Sequence, residues 1–142
     1  MSNTPLSYLN ESTDPAIANQ ALCADMSLLF TLQITALIDA ISRTGGKLLA
    51  DQFKQQLNHY ATQHGWCALT GLTDLSELKY RVPDVDAKIL FSVYLSYSRY
   101  ARELGQQILG EPVLKATLAA CLKRLPPHLV QFNAQRGIIR LS

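Results

Sequence analysis

The chain has 142 residues, of which 48% are hydrophobic and 17% are charged, with 13 Lys and Arg against 11 Asp and Glu. A chain of this length and apolar content buries enough surface for one core, which excludes a disordered or collagen-like protein. The charged fraction lies below the roughly 25% of average globular domains. We therefore expect uncharged surface of the kind found on domains that bind a partner or self-associate.

Charge is distributed unevenly along the chain. Residues 1–71 carry three Lys and Arg and five Asp and Glu, whereas residues 72–142 carry ten and six. The net charge of +2 does not indicate a nucleic-acid or membrane surface. The more basic second half is consistent with an anionic partner, although a solvated helix surface explains it equally well.

The cysteines and the N-terminus bear on the compartment. Cys23, Cys67 and Cys121 are odd in number and widely spaced, which favours free thiols in a reducing environment. The first residues lack the basic and apolar regions of a signal peptide. The most apolar stretch, 26–41, is too short for a membrane span and contains Gln33 and Asp39. We expect a cytoplasmic protein without a membrane segment.

The elements follow in chain order. Residues 1–13 are polar and aperiodic and predict a loose arm. Asp14 and Pro15 form a helix start, and apolar residues at spacings of three and four continue to a stop at Gly45 and Gly46. The later predictions are a second helix over 47–64, a buried connector at 66–72, a short helix holding Leu75 to Val82, helices over 85–109, 113–125 and 128–136, and an apolar tail.

These elements predict an all-α fold. Five to six helices with short connections would pack as an irregular bundle in one domain over 14–142. The first helix would be long for a small domain, so it either breaks near Asp25 or extends into a dimer contact. We favour a homodimer, with Leu28, Leu32 and Ile41 as the self-association residues.

Motifs for catalysis and metal binding are missing from the sequence. His59 and His64 are five residues apart, which on a helix separates them by about 140° and does not suit a shared metal ion. Cys67 follows His64 closely, but no third group orients the imidazole. There is no nucleophile elbow, phosphate-binding glycine loop or dinucleotide motif. We expect no enzyme activity, no metal and no cofactor.

Tyrosines and arginines form a stripe on the helix over 85–109. Tyr94, Tyr97 and Tyr100 recur every three residues, and Arg99 and Arg102 accompany them. One interpretation is that the rings pack at the rim of the core with their hydroxyls in water. Another is a protein interface, where tyrosine and arginine are enriched, and a third is a pocket for a flat ligand. We take these five residues as candidate partner contacts.

Residues 75–95 resemble a helix-turn-helix. A short helix ending at Val82, a turn over 83–86 and a second helix with paired apolar positions make up the pattern. The resemblance implies DNA binding, and it is weakened by the acidic Asp84 and Asp86 and by the length of the second helix. The DNA contacts that it implies are Lys88, Ser92 and Arg99 in the groove, with Lys79 and Arg81 near phosphates.

These observations favour a non-catalytic regulatory or adaptor domain that binds a protein partner through helix faces. A DNA-binding regulator using residues 75–99 is the first alternative, and its affinity would fall steeply with salt. A helical domain that senses a small ligand is the second, and a bound metabolite would raise its melting temperature.

Overall fold

A computed structural model describes residues 14–66 and 85–141 and confirms the all-α fold. Within these ranges there are five helices and no strand. Their bounds are α1 Pro15–Gly45, α2 Lys47–Gln63, α3 Ala87–Leu109, α4 Glu111–Lys123 and α5 Pro127–Arg136. The predicted arm at 1–13, most of the connector at 66–72 and the short helix before Pro83 lie outside the described residues.

Local sequence signals account for the helix starts. The Asp14 carboxylate accepts a hydrogen bond from the Ala16 backbone nitrogen at 3.0 Å, with Pro15 at the first helical position. Asp86 caps α3 in the same way, through the Lys88 nitrogen at 2.8 Å. Asp86 is therefore used as a helix cap.

Two corners of the fold are single glycines. Gly46 joins α1 to α2 with φ 89° and ψ 175°, and Gly110 joins α3 to α4 with φ 85° and ψ 156°. This combination of angles is accessible essentially to glycine alone. The chain therefore turns from one helix into the next at a single residue.

An asparagine fastens the start of α3 to α1. The Asn19 side-chain nitrogen donates to the Val85 carbonyl, and its oxygen accepts from the Ala87 backbone nitrogen, both at 2.7 Å. One amide side chain thereby satisfies a donor and an acceptor at the point where the chain enters the helix. The relative position of α1 and α3 is set at this end by hydrogen bonds as well as by packing.

The first helix, α1, is central to the core and contacts each of the other four helices. This helix has 31 residues in all and does not break near Asp25. It is also long and apolar enough to cross a membrane by length and composition, a test that core helices of soluble proteins pass as well. Its ten buried residues are Cys23, Met26, Ser27, Leu29, Phe30, Gln33, Ile34, Leu37, Ala40 and Ile41.

The self-association residues predicted on α1 lie against this chain's own core. Ile41 is completely buried, and the prediction that it forms a dimer contact is wrong because it has no surface to offer. Leu28 and Leu32 are half-buried and pack against the core cluster. The length of α1 is therefore explained by its central place in the fold.

Candidate functional site

The structure divides the predicted stripe on α3 between the core and the surface. Tyr94 and Tyr97 are each only 1% exposed. Both rings contact Phe30 of α1, with ring centroids 4.7 Å apart in each pair. The prediction that these two tyrosines are partner contacts is wrong, because α3 packs on both α1 and α2 and turns them inward.

The buried hydroxyls of these tyrosines have partners, as the burial of a polar group requires. The Tyr94 hydroxyl and the Ser27 hydroxyl of α1 lie 2.8 Å apart and share a hydrogen bond. The Tyr97 hydroxyl donates to the Leu57 carbonyl of α2 at 3.5 Å. The two residues thus tie α3 to its neighbouring helices.

The two arginines of the stripe also separate. Arg99 is exposed, whereas Arg102 is 9% exposed and lies at the junction of α1, α3 and the C-terminal tail. Its Nη1 donates at 3.3 Å both to Gln33 Oε1 and to the Ile138 carbonyl. The prediction that Arg102 is a protein-partner contact is wrong, because the residue is nearly buried and these bonds hold one side of its guanidinium inside the fold.

Tyr100, like Arg99, is a predicted contact residue that remains at the surface. Its ring stacks on Tyr60 of α2, with centroids 3.8 Å apart and planes 1° apart, and both residues are half-buried. His64 and Trp66 extend this cluster, at 4.4 Å and 5.3 Å from the Tyr60 ring. We call Tyr60, His64, Trp66 and Tyr100 the aromatic face.

The local structure after α2 holds the aromatic face in place. A ring nitrogen of His64, Nδ1, is hydrogen-bonded to the Tyr60 carbonyl at 2.9 Å, which fixes the imidazole beside the tyrosine ring. Gly65 then takes φ 69° and turns the chain so that Trp66 returns toward Tyr60 and the buried Tyr97, whose ring lies 5.6 Å away. These contacts hold the four rings in place within the chain.

A shallow depression adjoins Tyr100 on the surface of α2. Its volume is about 490 Å³, and its lining residues are Gln52, Gln55, Gln56, His59 and Tyr100. This lining is made of amides, one imidazole and one phenol. The neighbouring Asp51 already pairs with Lys47 and Lys54, at 3.4 Å each. The hydrogen bonds of these lysines lower the pKa of Asp51.

This arrangement suits binding. Amide side chains donate and accept hydrogen bonds, as a peptide backbone or an uncharged side chain requires. Stacked tyrosines present apolar ring surface with few rotatable bonds, so ordering them at an interface costs little entropy. We take the aromatic face together with the glutamine-lined depression as the candidate site and call it the amide–aromatic surface.

Two further depressions lie on the α4 side of the molecule. One, of about 310 Å³, runs between α1 and α4 past Leu32 and Cys121. The other, of about 480 Å³, lies between α4, α5 and the tail and is lined in part by Val130 and Arg136. In the described parts of the chain, no three His, Cys, Asp or Glu side chains are grouped to hold a metal ion. Cys67 is not among the residues described.

The residues implied by the helix-turn-helix resemblance are described in part. Lys88, Ser92 and Arg99 are all exposed, and their spacing puts them on one face of α3. Lys79 and Arg81, with the first helix of the motif, lie outside the described residues. The structure therefore describes one half of the proposed DNA surface.

Sequence reasoning missed Tyr60 and the glutamines beside it. Tyr60 lies within the predicted second helix, and its half-buried ring stacks on Tyr100. The available signal was the pairing of Gln52 with Gln56 and of Tyr60 with His64, each four residues apart on one helix. That spacing aligns amides and rings, but it does not show that Tyr100 of another helix joins them.

No protein-family model matches the chain, and no curated protein or solved structure is significantly similar to it. Functional inference therefore rests on the geometry of the described residues.

Proposed function

We propose that this protein is a non-catalytic regulatory or adaptor domain of the cytoplasm that binds a protein partner through the amide–aromatic surface. The observation that carries the proposal is the parallel stack of Tyr100 on Tyr60, half-exposed beside a depression lined by three glutamines and a histidine. Tyrosine and tryptophan are enriched in protein interfaces, and charged residues are depleted at their centres.

Self-association belongs to the same proposal. A surface of uncharged amides and rings can face a copy of itself across a two-fold axis without placing like charges together. Leu28 and Leu32 are engaged with the core of their own chain, which leaves the amide–aromatic surface as the better place for a homodimer contact. Sedimentation equilibrium of the full chain measures this directly, and a monomer at all concentrations would remove the homodimer from the proposal.

The main experiment is affinity capture from the native cell lysate with two charge variants. Gln52→Glu/Gln56→Glu places two carboxylates at the centre of the surface, where burying them in an interface is costly. Gln131→Glu/Gln135→Glu is the matched control, because both residues are exposed on α5 with the same spacing of four. The proposal predicts a protein captured by the wild type and the control and lost from the first variant.

Two results would contradict this function. One is capture that is equal for both charge variants, which would place the contact elsewhere. The other is the loss of captured proteins after nuclease treatment, which would show that nucleic acid mediates the interaction.

DNA binding is the second candidate function, and the common exposed face of Lys88, Ser92 and Arg99 favours it. This candidate predicts that Lys88→Gln weakens the binding of duplex DNA. It should also reduce the slope of log affinity against log salt concentration by about the amount that one phosphate contact contributes. Lys115→Gln, which changes an exposed lysine of α4, is the control. Fluorescence anisotropy across a salt series measures both.

A further inference from the structure

Arg102 is a nearly buried cation with an unusual set of partners. Its two hydrogen bonds go to neutral acceptors, the Gln33 amide oxygen and the Ile138 carbonyl. The ion pairs among the described residues all join other groups. A buried guanidinium normally has a carboxylate or phosphate as its counter-ion, because the desolvated charge is otherwise costly.

The charges near Arg102 increase this cost. Burial lowers the pKa of Arg102, and the positive charges of Arg140 and Arg99 lower it further, while Glu103 acts in the opposite sense. Three arginines thus lie close enough to influence one another at the junction of α3 with the C-terminal tail. Such a cluster attracts an anion from solution.

Two unpartnered polar groups lie on the elements that enclose Arg102. Among the described residues, Gln33 Nε2 and Ser98 Oγ are wholly buried and make no hydrogen bond. Gln33 is bound to Arg102, and Ser98 precedes Arg102 by one turn on the same side of α3. Both groups can donate, and a buried donor without an acceptor costs free energy.

The remaining edge of the guanidinium, Nε and Nη2, is not wholly buried. Both hydrogen bonds use Nη1, and neither Nε nor Nη2 is among the wholly buried atoms that lack a partner. The Nε and Nη2 edge of an arginine binds both oxygens of a carboxylate or phosphate at once. Gln33 and Ile138 therefore hold Arg102 through Nη1 and leave that edge without a hydrogen-bond partner among the described residues.

From this arrangement we infer that Arg102 is the centre of a binding site for a small oxyanion, a phosphate or carboxylate group, assisted by Arg99 and Arg140. The inference is independent of the amide–aromatic surface. It predicts that an oxyanion stabilises the folded chain by supplying the missing counter-ion. Arg99 and Arg140 are both exposed, so their removal weakens anion binding without disturbing the core.

The test is the melting temperature of the full chain titrated with inorganic phosphate or acetate, against chloride at the same ionic strength. We expect phosphate or acetate at tenfold excess over its dissociation constant to raise the melting temperature by about 4 °C more than chloride. Arg99→Gln/Arg140→Gln should reduce this rise by at least half. Arg124→Gln, an exposed arginine at the end of α4, is the control and should retain the rise in full.

A third variant supplies the counter-ion from within the protein. Gln33→Glu places a carboxylate on the atom position that already accepts from Arg102, so it should raise the melting temperature in chloride and abolish the response to phosphate and acetate. The inference is overturned if the wild type responds equally to all three anions, or if Arg99→Gln/Arg140→Gln keeps the full response. If phosphate raises the melting temperature and acetate does not, the site binds phosphate groups. If acetate raises it and phosphate does not, the site binds carboxylate groups.

Discussion

At the scale of single residues, the aromatic side chains divide into a buried set and a surface set. Phe30 lies between Tyr94 and Tyr97 and joins α1 to α3, whereas Tyr60 and Tyr100 stack near solvent. Spacing of three along α3 predicts that its tyrosines lie close together. It does not predict which of them face the core, because that depends on where α1 and α2 lie around the helix.

The buried aromatic contact predicts a large cost for losing Phe30. Phe30→Ala should destabilise the protein by about 3–5 kcal/mol, since it leaves a cavity between two tyrosine rings as well as removing buried apolar surface. Ile17→Ala is the control, because Ile17 is 63% exposed and its truncation should change stability by less than about 0.5 kcal/mol. Urea unfolding measures the free energy of unfolding of both variants. A similar loss of stability in the two would contradict the described core.

Burial also predicts the reactivity of Cys121. Its side chain packs between α4 and α1, with Sγ 3.7 Å from the Leu32 carbonyl, and burial raises the pKa of the thiol. Because the folded state holds the thiol proton more tightly, this contribution to stability is complete below the pKa of the unfolded thiol and is lost as pH rises from there through the higher pKa of the folded thiol.

The corresponding measurement is alkylation by iodoacetamide with peptide-resolved mass spectrometry. Cys121 in the native protein should react at least about tenfold more slowly than in urea, because the thiolate is the reactive form and the folded site excludes the reagent. Equal rates in the two states would show that the α1–α4 contact does not enclose the thiol.

At the scale of elements, helix bounds were predictable because their signals are local. Asp14 with Pro15, the pair Gly45 and Gly46, and Gly110 each mark a boundary by the residue types that caps and left-handed positions require. The helix predicted over 113–125 begins instead at Glu111, since proline is accommodated in the first helical turn. The hydrogen bonds of Asn19 and Arg102 were not predictable, because they join segments distant in sequence.

The single-glycine corner between α3 and α4 predicts a backbone effect. Gly110→Ala should destabilise the protein by about 1–3 kcal/mol, because an L-residue is strained at φ 85° and ψ 156° whatever space surrounds it. Gln107→Ala, which changes an exposed residue of α3, should stay within about 0.5 kcal/mol of the wild type. Thermal unfolding measures the stability of both variants. If Gly110→Ala is as stable as the wild type, the corner has a different backbone conformation.

The C-terminal tail is fastened to α5 by one side chain. Asn133 donates from Nδ2 to the Ile139 carbonyl at 3.0 Å and accepts at Oδ1 from the Ile139 nitrogen at 2.9 Å. Asn133→Ala leaves both backbone groups of the buried Ile139 unpaired and should cost about 2–3 kcal/mol. The tail should also exchange its amide hydrogens faster.

Hydrogen exchange and urea unfolding test this role of Asn133. Gln131→Ala changes an exposed residue of the same helix and serves as the control. The role is contradicted if the two variants exchange the amide hydrogens of residues 138–141 at the same rate.

At the scale of the whole molecule, α1 organises the fold, and the proposed binding surface lies on α2 and α3. The fold class was predictable from periodicity, because helices with apolar faces have few ways to be buried other than against one another. The candidate site was predictable only at Tyr100. Its other members come from α2 and the turn after it, and their meeting depends on the angle between α2 and α3.

Site-specific photocrosslinking tests the central claim most directly. A benzoylphenylalanine placed at Gln55 lies in the depression beside Tyr100, and the same group at the exposed Gln131 of α5 is the control. The account predicts that irradiation in cells attaches a partner protein or a second copy of the chain at position 55 and not at position 131. Adducts at both positions, or at position 131 alone, would contradict the assignment of the amide–aromatic surface as the binding site.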